Sequence, residues 1–134
     1  MYQYFNPNPA GRVVGDCAVR AIAAAFDVSW DDAFDVLAKA SKQMCDMPSS
    51  DAVWGAVLRG MGYVREAIQN GCPDCYTVEM FAEDHPKGTF VLGLGGHVVT
   101  VRDGVVLDSW DSTQEIPVYV WRRDRERDRR IRNV

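Results

Sequence analysis

The chain has 134 residues, 47% of them hydrophobic, and a formal net charge of −4 at pH 7. A chain of this length buries roughly two thirds of the surface that its unfolded form exposes, which is enough for one core. No run approaches the roughly 20 apolar residues that cross a bilayer, and the N-terminus lacks the features of a secretory signal. We therefore expect a single cytoplasmic domain that does not enter a membrane.

The charge is unevenly distributed along the chain. Residues 122–132 hold seven arginines and three acidic residues, a net charge of +4, which leaves −8 for the remainder. Clustered arginines favour phosphate binding, but the interleaved acids dilute this effect and no aromatic residue follows Trp121 to stack on bases. We predict a domain over residues 1–121, a solvated charged tail over residues 122–134, and no nucleic-acid partner.

The first half of the chain predicts helices. Asp16 is the candidate N-cap of a helix from Cys17 to about Asp27, because a short acidic side chain can accept hydrogen bonds from first-turn amides. Ser29 opens a second helix that runs to about Lys42, with apolar residues near helical spacing.

Two further helices are expected before the strands. One begins at Ser49 or Ser50, and Gly60 and Gly62 end it. A shorter one begins at Thr77, in "TVEMFAEDH".

The second half changes to strand patterns. The stretch "GTFVLGLGGHVVTVRDGVVLDSW" is rich in β-branched residues and glycine, which favours strands. Its Asp103-Gly104 pair is a strong hairpin signal, because a type I′ turn requires positive φ at both central residues. A further strand is predicted in "IPVYVW". Helices followed by antiparallel strands predict an α+β domain.

This turn also decides which side chains share a face of the hairpin. A two-residue loop places Val99 opposite Asp108 and His97 opposite Trp110, all on one side of the ribbon. His97 and Asp108 then become diagonal neighbours, close enough for an orienting hydrogen bond. Asp111 projects from the opposite face if the strand continues, which makes it the weaker candidate.

Cys17 is the candidate nucleophile. A thiol attacks a carbonyl as thiolate, and the unpaired amides and macrodipole of a helix N-terminus favour that charge. The neighbouring carboxylate of Asp16 opposes ionisation unless capping occupies it, so a histidine is needed to take the proton. His85 is expected in a loop before Pro86, whereas His97 enters an apolar strand, where a core histidine is the alternative interpretation.

A cysteine at a helix start, followed by a histidine and an aspartate on later antiparallel strands, resembles the papain-like cysteine peptidase superfamily. The segments "GDCAVRAIA", "HPKGTFVLGLGGHVVTV" and "DGVVLDSWDS" are similar to small phage and bacterial proteins assigned to that superfamily, and to bacteriocin-processing peptidase domains. The resemblance covers about residues 5–121. It implies a nucleophile helix packed against a C-terminal antiparallel sheet and a peptide or protein substrate, and we expect no cofactor.

The resemblance also implies roles for individual residues. Cys17 would be the nucleophile, His97 the general base and acid, and Asp108 the residue that orients the histidine. The oxyanion hole would combine the Cys17 amide with a donor from the preceding loop. Papain relatives usually place a glutamine about six residues before the cysteine, but Gly11 stands there. Asn8 is the candidate donor, with turn formation as its alternative role.

Asp16, Arg20 and Trp110 are candidates for support of this site. Arg20, one turn along from Cys17, either pairs with a carboxylate such as Asp16 or Asp108, or marks the rim of the helix. Trp110 either walls a cleft or belongs to the core.

The motif "GCPDCY" contains Cys72 and Cys75 at the spacing of two zinc ligands or a redox dithiol. No second such pair is present and the setting is a loop composition, so a loop without metal is the preferred interpretation. A reducing compartment disfavours disulfides, and we therefore expect thiols at all four cysteines, including Cys17 and Cys45.

Three functions stay open on the sequence alone. The first is a cysteine peptidase or related thiol-dependent amide hydrolase. The second is a catalytically inactive papain-like binding module, for example a phage protein that sequesters a host factor, which the missing glutamine and the acid beside Cys17 favour. The third is a small zinc protein built on Cys72 and Cys75.

Overall fold

The computed structural model describes residues 1–68 and 75–124. These residues form four helices and six strands in the order β1 (Tyr2–Tyr4), α1 (Cys17–Phe26), α2 (Trp30–Met44), α3 (Asp51–Gly60), β2 (Tyr63–Ala67), α4 (Val78–Asp84), β3 (Thr89–Leu94), β4 (His97–Arg102), β5 (Val105–Asp108) and β6 (Tyr119–Arg123). The predicted α+β class is confirmed. None of the described helices is long and apolar enough to span a membrane.

Three of the helices begin at the side-chain caps that the sequence predicts. The hydroxyl oxygens of Ser29, Ser50 and Thr77 each accept a hydrogen bond from a first-turn amide, at 3.0, 3.3 and 3.2 Å. The prediction is wrong for the first helix, because Asp16 makes no side-chain cap hydrogen bond. Its carboxylate is bound to stronger donors, which are described with the site.

The strands form one sheet in the order β1-β5-β4-β3-β6-β2. All neighbouring pairs are antiparallel except β1 and β5, which run parallel and place Tyr4 opposite Asp108. The antiparallel pairing predicted for the C-terminal strands is found among β3, β4, β5 and β6, whereas the N-terminal strand β1 pairs in parallel and makes the whole sheet mixed. Neither β1 nor β2 was expected, because β1 has only three residues and the outer part of β2 is polar and exposed.

The predicted hairpin between β4 and β5 is confirmed. Asp103 and Gly104 have positive φ angles of 50° and 77°, as a type I′ turn requires. Arg102 pairs with Val105 in the predicted register. The chain leaves the strand directly after Asp108.

Two apolar clusters cover opposite faces of the sheet. Val91 and Val98 belong to the cluster that contains α1, α2 and α3, whereas their chain neighbours Leu92 and Val99 belong to the cluster that contains α4. Side chains of a strand alternate between faces, so α1 lies on one face and α4 on the other. The helix that carries Cys17 therefore packs directly on the central strands.

The last described strand, β6, begins inside the predicted "IPVYVW" strand, at Tyr119, and continues to Arg123. It runs two residues beyond 121, the predicted end of the domain. Residues 125–134, which hold most of the predicted charged tail, lie outside the described residues.

Candidate active site

Cys17 and His97 begin two elements that lie side by side. The Thr100 hydroxyl on β4 donates to the Ala21 carbonyl on α1 at 2.7 Å, and both groups are buried. This bond joins the middle of the helix to the middle of the strand. A second bond, from Arg102 Nη1 to the Ala24 carbonyl at 3.1 Å, shows that the helix and the strand run in the same direction. Cys17 at the start of α1 therefore lies next to His97 at the start of β4.

The His97 ring lies between a carboxylate and the thiol. Its Nε2 is 2.7 Å from Oδ2 of Asp108, and the His97 side chain is also hydrogen-bonded to Cys17. Because Nε2 is engaged by the carboxylate, Nδ1 is the ring nitrogen left for the sulfur. The Trp110 ring lies 4.8 Å from the His97 ring, centroid to centroid, and is 42% exposed, so Trp110 borders the site and is not a core residue.

The surroundings of Cys17 favour its thiolate. The hydrogen bond with His97 lowers the pKa of Cys17, and burial opposes this effect. The positive charge of His97, the backbone amide of Val98 and the charge of Arg20 lower the pKa further. An amide donor and two cationic side chains therefore stabilise the negative sulfur.

The histidine is held in its charged form. Burial disfavours the charged ring, but the hydrogen bonds with Asp108 and Cys17 outweigh this effect and raise the pKa of His97 to about 9. The lowered thiol pKa and the raised imidazole pKa both shift the pair toward thiolate and imidazolium.

Asp108 is a fully buried carboxylate with every lone-pair direction engaged. Oδ2 contacts His97 and accepts from the Ser112 hydroxyl at 2.7 Å, while Oδ1 accepts from Arg20 Nε at 3.1 Å and from the Ser109 amide at 2.8 Å. Burial raises the pKa of Asp108, but the hydrogen bonds from His97 and Ser112 hold it below its usual value. The carboxylate is therefore charged and cannot rotate away from the histidine.

Arg20 joins this carboxylate to a second one. Its Nη1 donates to Asp16 Oδ1 at 2.7 Å, and Trp30 Nε1 donates to Asp16 Oδ2 at 2.9 Å. Arg20 and Asp16 are only 4% and 7% exposed. A buried guanidinium is a stronger donor than a backbone amide, which explains why Asp16 does not cap the helix. Arg20 thus pairs with Asp16 and Asp108 together, the two partners that the sequence left as alternatives.

The sequence did not point to three of the contributing groups. Ser112 lies just beyond the predicted hairpin strand, and Trp30 has only the sequence signal of an apolar residue at the start of the second helix. The Val98 amide is a backbone group, so its residue type gives no signal. Each acts through a contact that only the assembled fold creates.

The Asn8 side chain is engaged within its own loop. Its Oδ1 accepts from the amides of Ala10 and Arg12 at 2.9 and 3.3 Å, and the neighbouring Asn6 donates to the Arg12 carbonyl at 3.2 Å. These bonds are those of a turn, the alternative role that the sequence suggested. The oxyanion role of Asn8 stays a prediction.

Two weaker candidates are bound elsewhere. His85 follows α4, with Nδ1 2.8 Å from the Phe81 carbonyl and its ring stacked on Phe81 at 3.9 Å. Asp111 is exposed and accepts from Thr113 at 2.6 Å. Both side chains are therefore engaged within their own segments.

The expectation of four thiols is wrong at Cys75, which is disulfide-bonded. That expectation depended on the redox state of a compartment, which the residues themselves do not encode. Cys72, the other half of the proposed zinc or redox motif, lies outside the described residues, and a disulfide sulfur offers no thiolate to a metal. Over residues 1–68 and 75–124, no cluster of three or more His, Cys, Asp or Glu side chains is placed to hold a metal ion.

No protein-family model, no curated protein and no solved structure matches the chain. The proposed function of the chain therefore depends on the contacts of Cys17, His97 and Asp108.

Proposed function

We propose that the chain is a papain-like cysteine peptidase or a related thiol-dependent amide hydrolase. Cys17 and His97 are its catalytic residues, and Asp108 is the positioning residue. One observation carries the proposal: the His97 ring is hydrogen-bonded to the thiol at a helix start and, through Nε2, to a buried and fully engaged carboxylate.

The reaction begins with attack of the Cys17 thiolate on the carbonyl carbon of an amide. Negative charge moves to the carbonyl oxygen, where the Cys17 backbone amide at the helix start donates to it. The His97 imidazolium gives its proton to the leaving nitrogen, the carbon–nitrogen bond breaks, and a thioester is left on the sulfur.

Water completes the cycle. Neutral His97 takes a proton from water as its oxygen attacks the thioester carbon, and the carbon–sulfur bond breaks to release a carboxylic acid. Thiolate and imidazolium are then restored. Asp108 keeps the ring in one orientation through both steps, because its other oxygen contacts come from Ser112, Arg20 and the Ser109 amide.

Alkylation with iodoacetamide at pH 6 tests the thiolate directly. Rates are read at each cysteine by peptide mass spectrometry, with N-acetylcysteine as the reference thiol. We expect Cys17 to react at least about tenfold faster than the reference, because its lowered pKa increases the thiolate fraction more than it decreases nucleophilicity. A rate at Cys17 no higher than that of the reference contradicts the proposal.

A second candidate function is a catalytically inactive binding module of the same fold. It is favoured by the loop before Cys17, where Gly11 stands in place of the usual glutamine and the Asn8 oxygen is bound to its own backbone. Incubation with a mixed peptide library, with products read by mass spectrometry, separates the two. An enzyme produces fragments that Cys17→Ala abolishes and Cys45→Ala preserves, whereas a binding module produces none.

A further inference from the structure

A cavity of about 280 Å³ opens beside the segment that leads into α1. The loop before α1, the first turn of α1, the start of α2 and the segment before α3 form its walls. The apolar wall residues are Val14, Ala18, Val19, Trp30, Phe34 and Pro48.

We propose that this cavity binds an apolar, preferably aromatic, side chain of the substrate, on the residue that carries the attacked carbonyl. The inference rests on the proposed function, because it assigns a specificity pocket to the site around Cys17. It adds the class of substrate, which the catalytic residues alone do not specify.

The cavity is continuous with the segment that carries the nucleophile. Gly15, Asp16 and Ala18 all line the cavity. These residues flank Cys17 in the chain on both sides, while the Cys17 thiol itself is hydrogen-bonded to His97. The cavity thus lies beside the backbone that carries Cys17, although the thiol itself is not among the wall residues. A side chain held in the cavity belongs to a residue bound next to the nucleophile.

The cavity lies on one side of the scissile bond. His97 gives its proton to the leaving nitrogen, so the leaving part of the substrate lies on the side of His97 and Trp110. Within the described part of the chain, the cavity wall takes no residue from β4, from β5 or from the segment of Trp110. The cavity therefore accepts the acyl part of the substrate.

The charge of the cavity wall is compensated. Asp16 is the charged residue among the described walls, and its two oxygens are bound to Arg20 and Trp30. The carboxylate is thus compensated and offers little to a basic side chain. The cavity consequently selects by apolar contact and not by charge.

The shape of the cavity suits a flat side chain. The rings of Trp30 and Phe34 stack at 5.2 Å with an interplanar angle of 14°, which makes a flat aromatic wall. Phe34 and Val14 keep 41% and 38% of their surface exposed, although both are large and apolar. Ligand pockets usually measure about 300–1,000 Å³, so a cavity below this range suits a single side chain.

Two reagents that differ only in that side chain provide the test. N-acetylphenylalanine chloromethyl ketone and N-acetylglycine chloromethyl ketone both alkylate Cys17, with a new sulfur–carbon bond and loss of chloride. We expect the phenylalanine reagent to inactivate the thiol at least about tenfold faster, once each rate is corrected for intrinsic reactivity with N-acetylcysteine.

Three variants connect this preference to the cavity. Phe34→Ala removes part of the aromatic wall, and Ser49→Trp fills the space from an exposed wall position. Both are expected to reduce the ratio of the phenylalanine-reagent rate to the glycine-reagent rate by about fivefold or more. Each rate is first divided by the rate at which iodoacetamide alkylates Cys17 in the same variant. Val36→Ala is the matched control, because Val36 is similarly exposed on the same helix but does not line the cavity, and its preference should equal that of the wild type.

The outcomes distinguish this inference from the proposed function. Rapid alkylation by iodoacetamide with no preference between the two ketones overturns the pocket and leaves the activated thiolate intact. Slow alkylation by iodoacetamide overturns the proposed function. Binding to the pocket is then tested by NMR in Cys17→Ala. The chemical shift of the Trp30 indole N–H should change when N-acetylphenylalaninamide is added and should not change with N-acetylglycinamide. An unmoved resonance with both compounds overturns the pocket as well.

Discussion

The two free cysteines among the described residues occupy opposite ends of helices. Cys17 is the first residue of α1, where backbone amides point outward, and His97 and the Val98 amide meet its sulfur. Cys45 follows the last residue of α2 in a left-handed conformation with φ of 53°, where its thiol approaches the Lys42 carbonyl oxygen at 3.9 Å. One sulfur faces hydrogen-bond donors and the other faces acceptors.

The difference extends well beyond the helix ends. Cys45 is exposed and its contacts come from its own helix, whereas Cys17 depends on a histidine some eighty positions later in the chain. That histidine depends in turn on the buried pair of Asp108 and Arg20. A cysteine becomes a candidate nucleophile through this non-local support, which neither its residue type nor its helix position supplies alone.

Arg20→Met gives the largest expected effect, because it breaks the support on the Cys17 side of the comparison. The variant leaves Asp16 and Asp108 buried without their shared cation, and the free energy of unfolding should fall by about 3–5 kcal/mol. Urea denaturation measures this loss. The matched control is Arg102→Met. Arg102 Nη1 donates to the Ala24 carbonyl at 3.1 Å and lies 3.6 Å from the exposed Asp27 carboxylate, so the expected loss is about 1–2 kcal/mol. Equal losses for the two variants would contradict a supporting role for Arg20.

His97→Ala should make the two cysteines more alike. Loss of the hydrogen bond and of the positive charge raises the pKa of Cys17, so its alkylation by iodoacetamide at pH 6 should slow by at least about tenfold. The alkylation rate at Cys45 should stay the same, because the Cys45 thiol contacts the Lys42 carbonyl of its own helix and not His97. His85→Ala is the control histidine variant and should leave both rates unchanged. Undiminished alkylation of Cys17 in His97→Ala would refute the assigned partner.

The pH dependence of alkylation sharpens the comparison further. The pKa of Cys17 is lowered from 9.0 and that of His97 is raised to about 9, so thiolate and imidazolium coexist between the two values. The ratio of the Cys17 rate to the Cys45 rate should be highest at the acidic end of this range. It should fall steadily toward pH 9, because alkylation of an exposed cysteine rises with pH and a thiolate of low pKa is the weaker nucleophile. A ratio that increases with pH would reverse the assigned direction of the Cys17 shift.

Ser112→Ala gives the smallest effect. It removes one of the donors to the buried Asp108 carboxylate, which should reduce the free energy of unfolding by about 1–2 kcal/mol. Thr113→Val removes a hydroxyl bond to the exposed Asp111 carboxylate, so its loss should be below about 1 kcal/mol. Thermal or urea denaturation of both variants compares them. A larger loss for Thr113→Val than for Ser112→Ala would contradict the stabilising role assigned to the Ser112 hydroxyl.

The parts of the fold that the sequence predicts are those encoded within a few residues. Ser29, Ser50 and Thr77 cap helices because their hydroxyls meet amides of the same turn, and Asp103-Gly104 forms its turn without distant partners. The opposite case is β1, whose three residues become a strand only by pairing with β5, about a hundred residues later. Local patterns carry no information about such a partner.

The same division applies to the site. The adjacency of His97 and Asp108 follows from a local turn, so the sequence could predict it. The partners of Asp16 could not be predicted, because its carboxylate chooses between a backbone amide of its own helix and the more distant Arg20 and Trp30. The outcome depends on which donors come close to the carboxylate in the folded state and on how deeply they are buried. Residue types alone do not give this information.

Asp108 has a further consequence for the segment between β1 and α1. Its backbone oxygen accepts from the Phe5 amide at 2.7 Å, and its carboxylate reaches Asp16 through Arg20. Both ends of residues 5–16 are thus tied to one residue, so this segment is a closed loop. Closure entropy rises only by about 0.6 kcal/mol for each doubling of loop length. The loop can therefore be lengthened or rebuilt, for instance to carry a glutamine, while the anchors that hold Cys17 and His97 stay in place.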